Sequence, residues 1–221
     1  RYGSPRVHHA LVLEGVHVSR RRVARLMRMA GLRAKAVCGY RGKAGVHRFY
    51  DRQPNRIREL EVSGPNQVWV GDITYLPVAG QWWYLAVVLD QYSRRVLAWS
   101  LTSRRDARVT CAVLKAAARQ RRVRGVIFHS DRGSEYMAAP FHACVTTLGL
   151  LQSASTRGPE DNAHMESFFH SLKAELTRGV FFHDVRGLRR ELGRYMQYYN
   201  SRRMHSALGY RSPIAFERCA A

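Results

Sequence analysis

The feature that most constrains the fold is a charged residue set inside an apolar strand pattern. Residues 68–76 read VWVGDITYL, a pattern typical of a buried β-strand, and Asp72 interrupts it. An unpaired carboxylate inside a protein costs several kcal/mol, so a fold that contains this strand has to supply a compensating partner. Where two or three carboxylates converge, that partner is usually a hard divalent cation.

Two further carboxylates stand where predicted elements begin or end. The apolar run at 126–128 leads to Asp131 and predicts a short buried strand that presents this carboxylate at its carboxyl end. Downstream, a helical pattern begins at Asn162, and Glu166 lies about 100° round that helix from Met165, on the flank of the apolar stripe. The stripe consists of Met165, Phe169, Leu172 and Leu176. Thirty-four residues separate Asp131 from Glu166.

The same helix predicts which side chains accompany Glu166. His170 and Lys173 lie about one and two turns beyond it on the same face, so both are candidates for contact with a phosphate. Glu175 lies roughly half a turn away from Glu166 and is expected to face solvent.

The charge balance indicates a polyanionic partner. The chain has 37 Lys and Arg against 16 Asp and Glu, a net charge of +21, which favours DNA or RNA first and an anionic membrane second. No apolar run of about 18 residues is present to span a bilayer, and no secretion-signal pattern opens the sequence. The four cysteines form no CxxC pair and are interpreted as reduced thiols of a cytoplasmic protein.

Residues 4–31 are predicted to form two short helices, which end at Gly15 and Gly31. Arginines surround the second helix: Arg20, Arg21, Arg22, Arg25 and Arg28. Arginine in a first turn opposes the helix dipole, and a sequence tolerates this more readily when phosphates are the partner. The pattern favours DNA contact, and a solvated basic face on a small helical module is the alternative.

The remaining patterns define the organisation of the chain. Residues 33–64 are basic and glycine-rich, which predicts either an extended linker lying along DNA or a merely disordered one. After the boundary at Gly64-Pro65-Asn66, three strand patterns precede a helix–strand–helix–strand–helix series, typical of an α/β fold with a mixed sheet. The strands are expected at 67–76, 81–90, 94–101, 126–129 and 150–153, and the helices at 106–120, 137–148, from 162 and from 184, before a compact turn at 209–213.

Five blocks of sequence carry a resemblance to a known family. They are GDITYL (71–76), LDQYSRR (89–95), HSDRGSEY (129–136), DNAHMESFFHSLKAEL (161–176) and YNSRRMHSALGYRSP (199–213). In these blocks and their order the chain resembles insertion-sequence transposases with a retroviral-integrase-like core. Residues 1–35 resemble the helix-turn-helix-like segment that precedes that core. Two departures are a spacing between Asp131 and Glu166 that is one residue shorter than usual, and Glu135 where the family usually has Gln.

The resemblance implies a ribonuclease-H-like fold with a mixed five-stranded sheet flanked by helices. It implies that Asp72, Asp131 and Glu166 are catalytic and hold two Mg²⁺ or Mn²⁺ ions, with Asp72 shared between the ions. The activity implied is DNA cleavage at the element's terminal repeats and strand transfer into target DNA, by a homo-oligomer associated with the bacterial nucleoid. The expected division is a basic helical segment (1–35), a linker (36–64), a catalytic core (65–180) and a C-terminal helix and tail (181–221).

Several alternatives stay open at this point. Asp72 could be a structural residue at a strand end, Asp131 a turn cap and Glu166 a surface charge. The protein could be a nuclease of the same fold that does not join strands, or a non-catalytic DNA-binding protein. Arg202 and Arg203 could contact either DNA or a partner subunit. The candidate DNA contacts are Lys173, His170, Arg157, Asn162, Arg20, Arg21, Arg22, Arg25, Arg202 and Arg203.

Overall fold

The structure is a computed structural model that describes residues 2–32, 34, 53–121, 123–156 and 162–220. Most of the predicted linker therefore lies outside the described residues. The elements, in chain order, are α1 (Ser4–Leu13), α2 (Arg20–Met29), β1 (Val68–Val78), β2 (Gln81–Asp90), β3 (Val96–Thr102), α3 (Ala107–Arg119), β4 (Ile127–Ser130), α4 (Ser134–Met137), α5 (Ala139–Thr147), β5 (Leu151–Ala154), α6 (Ala163–Leu172), a π-helical turn (Lys173–Thr177), α7 (Val185–Ser201), a 3₁₀ turn (Ser206–Leu208) and α8 (Pro213–Ala220).

The five strands form one mixed sheet in the order β3-β2-β1-β4-β5. The first three strands pair antiparallel, whereas β4 pairs parallel to β1, and β5 pairs parallel to β4. The hairpin between β1 and β2 closes through Ala79 and Gly80, both at positive φ. The mixed sheet and its hairpin, predicted from the strand patterns, are confirmed.

Each face of the sheet carries its own hydrophobic core. On one face Val68 and Val70 of β1 pack against α6 and α7, and on the other Trp69 packs with residues of α3 and α5. Side chains alternate between the two faces of a strand, so Asp72 projects to the same face as Val68 and Val70. That face is the one on which α6 packs, and the carboxylate is therefore carried to the edge of the α6 layer.

Gly71 permits a close approach on the opposite face. A Cβ at this position would lie 2.4 Å from Cζ of Phe128, a ring that is 1% exposed. A contact of that length cannot exist, so any side chain at 71 would displace the Phe128 ring or separate β1 from β4. The glycine thus allows the strand that carries Asp72 to lie directly against β4.

The helix expected at 137–148 is present as α5 (Ala139–Thr147), and the short helix α4 (Ser134–Met137) precedes it. Ala138 is extended (φ −70°, ψ 143°) and separates α4 from α5. Pro140 explains the break, because proline has no N–H to donate and its ring clashes with the carbonyl four residues earlier. That carbonyl, of Tyr136, accepts a hydrogen bond from Nε2 of Gln152 instead, at 2.8 Å.

The expectation that Glu175 faces solvent is wrong. Its side chain is buried and accepts two hydrogen bonds from Arg203, at 2.8 Å from Nη2 and 3.0 Å from Nε. Glu175 lies in the π-helical turn, whose wider winding changes the angular position of each residue relative to an α-helix. The sequence pattern predicts an α-helix here, and an α-helical period would turn Glu175 towards solvent.

The tail contains a helix that the sequence patterns did not predict. The compact turn at 209–213 is present, with Gly209 in the left-handed region, and α8 follows it. Glu217 of α8 is buried and binds Arg95 and Arg121, each at 2.7 Å. These two ion pairs join the tail to the end of the β2–β3 turn and to the end of α3.

Two further observations concern the environment of the chain. No helix in the described part of the chain is long and apolar enough to cross a bilayer. Cys111, Cys144 and Cys219 are free thiols, and Cys38 lies outside the described residues.

A matched pair of glycine substitutions tests the packing of β1 on β4. Gly71→Ala should lower the free energy of unfolding by about 2 kcal/mol, because it overpacks the contact with Phe128. Gly193→Ala lies inside α7, where a Cβ meets only Trp99 at 3.9 Å, and should raise stability by roughly 0.5–1 kcal/mol. Urea denaturation of both variants measures the difference, and equal stabilities would contradict the contact.

Candidate active site

The parallel pairing of β1 and β4 places two of the three predicted carboxylates next to each other. The pairs run from Val68 opposite Ile127 to Gly71 opposite Ser130, so the next position of each strand is Asp72 and Asp131. Neighbours in register on parallel strands project to the same face. Two acidic side chains, 59 positions apart in the sequence, therefore stand side by side at the end of the β1–β4 ladder.

Asp72 has a strongly perturbed acidity. Burial raises the pKa of this carboxyl to about 8, and the negative charge of Asp131 adds to the rise. The amide of Ile73, which donates to Asp72 Oδ1 at 2.7 Å, and the charge of Arg105 both oppose it. A carboxylate in this state holds a proton near neutral pH unless another cation replaces that proton.

Asp131 is held by the turn that follows β4. Its Oδ1 accepts a hydrogen bond from the amide of Gly133 at 3.0 Å, and Ser130 Oγ donates to its carbonyl at 2.9 Å. The neighbouring Arg132 donates from Nε to the carbonyl of Ser155 at 2.7 Å, which joins the turn to the end of β5. The Gly133 amide thus orients the Asp131 carboxylate, and the Ser130 hydroxyl and Arg132 stabilise the backbone of the turn.

An ion pair that the sequence patterns do not predict lies beside these carboxylates, between Arg105 and Glu135. Glu135 is 3% exposed and accepts from Arg105, at 2.9 Å from Nε and 2.8 Å from Nη2. A Cβ on Gly133 would lie 2.7 Å from Glu135 Oε1 and 3.0 Å from Asp131 Oδ1, so both carboxylates flank this glycine. The departure from Gln to Glu at position 135 was a usable signal, because an additional buried acid requires a nearby base.

Glu166 is not joined to the two aspartates. The helical stripe predicted from Met165 to Leu172 is buried in α6, and Glu166 is exposed beside it. Among the residues that the structure describes, no group of three Asp, Glu, His or Cys side chains is arranged to hold a metal ion. Residues 157–161, which connect β5 to α6, lie outside the described residues, and a ligand role for Glu166 stays a prediction.

Asn162, predicted to contact DNA, is buried instead. It is 5% exposed, and its Nδ2 donates to the carbonyl of Gly71 at 3.4 Å, which ties the start of α6 to β1 beside Asp72. Its Oδ1 has no hydrogen-bond donor among the described residues. Two neighbouring carboxylates, one of high pKa, and an adjacent unsatisfied amide oxygen form an all-oxygen donor set that fits a hard divalent cation.

Lys173 lies close to this set. Its Nζ stands 4.9 Å from the centre of the Tyr75 ring in β1. Burial lowers the pKa of Lys173, and the charge of Asp72 partly offsets that effect. Lys173 is therefore placed beside β1, as a contact with substrate phosphate would require, and His170 is half-buried.

The other predicted DNA contacts divide into three groups. Arg202 and the four candidate arginines among the five of α2 (Arg20, Arg21, Arg22 and Arg25) are exposed. Arg203 is 4% exposed and paired with Glu175, so it is not part of a freely exposed basic tail. Arg157 lies outside the described residues.

Three family models match parts of the chain. A family model described as an integrase core domain matches residues 62–159, a second integrase core domain model matches 151–213, and a model of an HTH-like domain matches 1–38. The chain is 37% identical over 228 residues to the transposase for insertion sequence element IS904 of Lactococcus lactis, covering 99% of this chain and 88% of that protein. It is 40% identical over 221 residues to the transposase InsF for IS3A of Escherichia coli K12, covering 98% of this chain and 77% of that protein.

Solved structures share the fold at low sequence identity. A chain of the simian T-cell lymphotropic virus intasome, solved with a PP2A regulatory subunit, superposes with a TM-score of 0.61 at 16% identity, over 95% of this chain and 69% of that one. The catalytic core of HTLV-2 integrase, solved with magnesium, superposes with a TM-score of 0.52 at 14% identity, over 70% of this chain and 97% of that one. At these identities the likeness concerns the ribonuclease-H-like fold alone.

The raised pKa of Asp72 predicts how stability changes with pH. The folded-state pKa of about 8 lies above the unfolded value of 3.8, so this group's stabilising contribution is complete below pH 3.8 and is lost as pH rises through 8. Without divalent cations, Asp72→Asn should therefore be more stable than the wild type at pH 8.5 by about 2 kcal/mol, and the gap should narrow towards pH 5.

Urea denaturation in a metal chelator measures that gap. Asp184→Asn is the matched control, because Asp184 caps α7 by accepting from Gly187 and Asn caps equally well. A gap that does not depend on pH would show that another group carries the proton.

Proposed function

This chain belongs to the family of insertion-sequence transposases with an integrase core domain, and on that premise we propose that it cuts DNA at element ends and joins the ends to target DNA. The observation that carries the proposal is the adjacency of Asp72 and Asp131, which the β1–β4 register produces. Cleavage and joining of a phosphodiester are in-line displacements that need no protein nucleophile. They need aligned reactants and neutralised charge.

The donor set suits Mg²⁺ or Mn²⁺, and the proposal uses two ions per site. When bound, such ions would activate the attacking oxygen and stabilise the leaving one. Asp72 would be shared, with Asp131 and Glu166 each completing one site. Such a site requires Glu166, which is exposed at the first turn of α6, to approach the aspartates. The HTLV-2 integrase core, which was solved with magnesium, supports the choice of ion.

The chain's own residues would orient the strand and hold charge. Asp131 accepts from the turn amide of Gly133, and Arg105 pairs with Glu135, so that the charge of Arg105 opposes the repulsion that Glu135 adds at Asp72. Lys173, beside Asp72, would contact the phosphate next to the scissile bond. Water would attack in the cleavage step, and the released 3′-hydroxyl would attack target DNA in the joining step.

The proposed partners are the terminal repeats, target DNA and further copies of this chain. The exposed arginines of α2 would contact phosphates of the terminal repeat, and Arg202 those of DNA or of a partner subunit. Two element ends have to be joined in one event, which favours a homo-oligomer assembled on DNA. The bacterial relatives support action in the cytoplasm, on DNA of the nucleoid.

Conservative substitutions of the three carboxylates test the site. With Mg²⁺ and a labelled terminal-repeat oligonucleotide, Asp72→Asn, Asp131→Asn and Glu166→Gln should each lower cleavage and joining by roughly 10³-fold, since metal-assisted charge stabilisation is worth several kcal/mol. DNA affinity should stay within a few-fold of the wild type. Glu191→Gln, which changes a carboxylate on α7 that pairs only with Arg194, is the control and should react normally.

The products of the same assay separate the candidate functions. Joined strands support a transposase, nicked strands without joining indicate a nuclease, and binding without either indicates a non-catalytic DNA-binding protein. Normal turnover by Glu166→Gln would remove that residue from the site while leaving the aspartate pair in place.

The salt dependence of DNA binding tests the basic helix α2. The logarithm of affinity should fall linearly with the logarithm of salt concentration, with a slope of about 0.9 per phosphate neutralised. Arg21→Gln combined with Arg25→Gln should reduce that slope by about 2. Arg194→Gln, an exposed arginine already paired with Glu191, should leave it unchanged, and equal slopes for all three proteins would argue against contact by α2.

A further inference from the structure

A polar cavity of about 200 Å³ lies beside α6, on a side that the carboxylate site does not use. Its volume corresponds to about six water molecules at liquid density. Elements far apart in sequence close it: α1, the β2–β3 turn, α6, α7 and the tail. The lining consists of Arg6, Arg94, His164, Ser167, Ser171, Tyr199, Arg203, His205, Ser206 and Ala207.

The cavity carries an excess of positive charge. Three guanidinium groups line it, and only that of Arg203 has a carboxylate partner, Glu175. Within the described part of the chain, no carboxylate lies at ion-pair distance from Arg6 or Arg94. The net charge around the cavity is therefore about +2, in a partly enclosed space where water screens charge less than it does at an open surface.

Side-chain bonds, backbone conformation and a contact of the neighbouring chain constrain the segments that carry the three arginines. Arg203 donates from Nη2 to Ser171 Oγ at 3.0 Å, in addition to its bonds to Glu175. Arg94 has φ 62°, a left-handed conformation that costs energy for a residue with a Cβ and persists where surroundings enforce it. Tyr2 at the start of α1 accepts from the amide of Met204 at 3.0 Å, which fixes the helix of Arg6 against the tail.

The pKa of His205 is sensitive to the positive charges around the cavity. Burial lowers the pKa of this imidazole to about 3, and the charges of Arg203, Arg6 and Arg94 add to the effect. The ring is therefore neutral at physiological pH and can donate or accept a hydrogen bond. The charges of the three arginines act on this ring in the same direction as burial does.

We propose that this cavity binds a phosphate group of the DNA strand, as a second anchor separate from the carboxylate site. Arginine presents several N–H donors in a planar fork that matches phosphate oxygens, and the serine hydroxyls at the rim add further donors. A net charge near +2 complements one phosphodiester or a terminal phosphate. An acidic peptide would need more length than the cavity offers beyond one carboxylate.

The position of the cavity says what the anchor would do. His164 and Ser167 line it and directly flank Glu166 in α6, so the two faces of the same helical turn would serve the anchor and the reaction. A phosphate held here would set the register of the strand along α6. This role rests on the proposed function, whereas the binding of a phosphate anion does not.

The first experiment measures binding of inorganic phosphate to the full chain by calorimetric titration. The wild type should bind, and Arg6→Gln combined with Arg94→Gln should bind at least about tenfold more weakly, because charged hydrogen bonds are lost. Arg190→Gln with Arg194→Gln, two exposed positions of α7, should bind as the wild type does. Absence of phosphate binding by the wild type would overturn the proposal.

A second pair of variants guards against a folding defect. Ser167→Asp places a carboxylate at the rim of the cavity, where it can pair with the arginines, and should reduce phosphate binding at least about tenfold while the protein stays folded. Ser167→Asn has the same size without the charge and should bind nearly normally. Equal binding by these two variants would contradict a phosphate site in this cavity.

The second experiment asks whether the phosphate belongs to DNA. Neutral methylphosphonates replace the phosphates of a terminal-repeat oligonucleotide one at a time. One position should weaken binding to the wild type about tenfold and have little effect on the Arg6→Gln/Arg94→Gln variant. The proposal is wrong if every methylphosphonate position weakens binding equally in the wild type and in the variant. It is also wrong if an Asp/Glu-rich peptide displaces inorganic phosphate more effectively than the oligonucleotide does.

Strand joining by the wild type is followed separately in both experiments. If the wild type binds phosphate and responds to the methylphosphonates as expected but joins no strands, the proposed function alone is wrong. Joining without any phosphate binding would count against the cavity alone.

Discussion

The parallel pairing of β1 with β4 is the constraint on which the site depends. It places Asp72 next to Asp131, and two like charges in a poorly solvated position repel each other. The sheet can hold them only because backbone contacts on either side leave no alternative. Gly71 lets the Phe128 ring lie under β1, and a side chain there would push the two strands apart. Packing on one face of β1 thus brings the two carboxylates together on the other, and burial, with the charge of Asp131 added to it, raises the pKa of Asp72.

The neighbouring charges limit this repulsion without removing it. Arg105 binds Glu135, the additional acid beside Asp131, and Lys173 stands near Asp72. Neither base forms an ion pair with Asp72 itself among the described residues. Because burial and Asp131 raise its pKa, Asp72 holds a proton near neutral pH, and the proposed metal ion would displace that proton.

Short-range sequence patterns predict the strands and the helix that carry the three carboxylates. They do not predict the ion pairs, which depend on long-range contacts. The strand around Asp72, the buried stripe of α6 and the end position of Asp131 all follow from periodicity in a few residues. Glu175 was assigned to solvent because an α-helical period was assumed, whereas a π-helical turn and a partner 28 residues away determine its position. Arg105 and Glu135 meet across 30 residues, and no local pattern links them. Ion pairs of this kind depend on tertiary packing, so periodicity alone does not predict them.

Helix α6 lies between the carboxylate site and the arginine-lined cavity. Its buried residues, among them Met165 and Leu172, fix it on the sheet and leave its remaining faces to polar side chains. Lys173, just past the end of α6, lies against Tyr75 of β1, whereas His164 and Ser167 line the cavity and Glu166 between them is exposed. A helix presents neighbouring residues about 100° apart, so a single turn can serve both sides. A nucleic acid strand that follows this helix would meet cationic groups on one flank and carboxylates on the other. The first would hold the backbone in register, and the second would act on it.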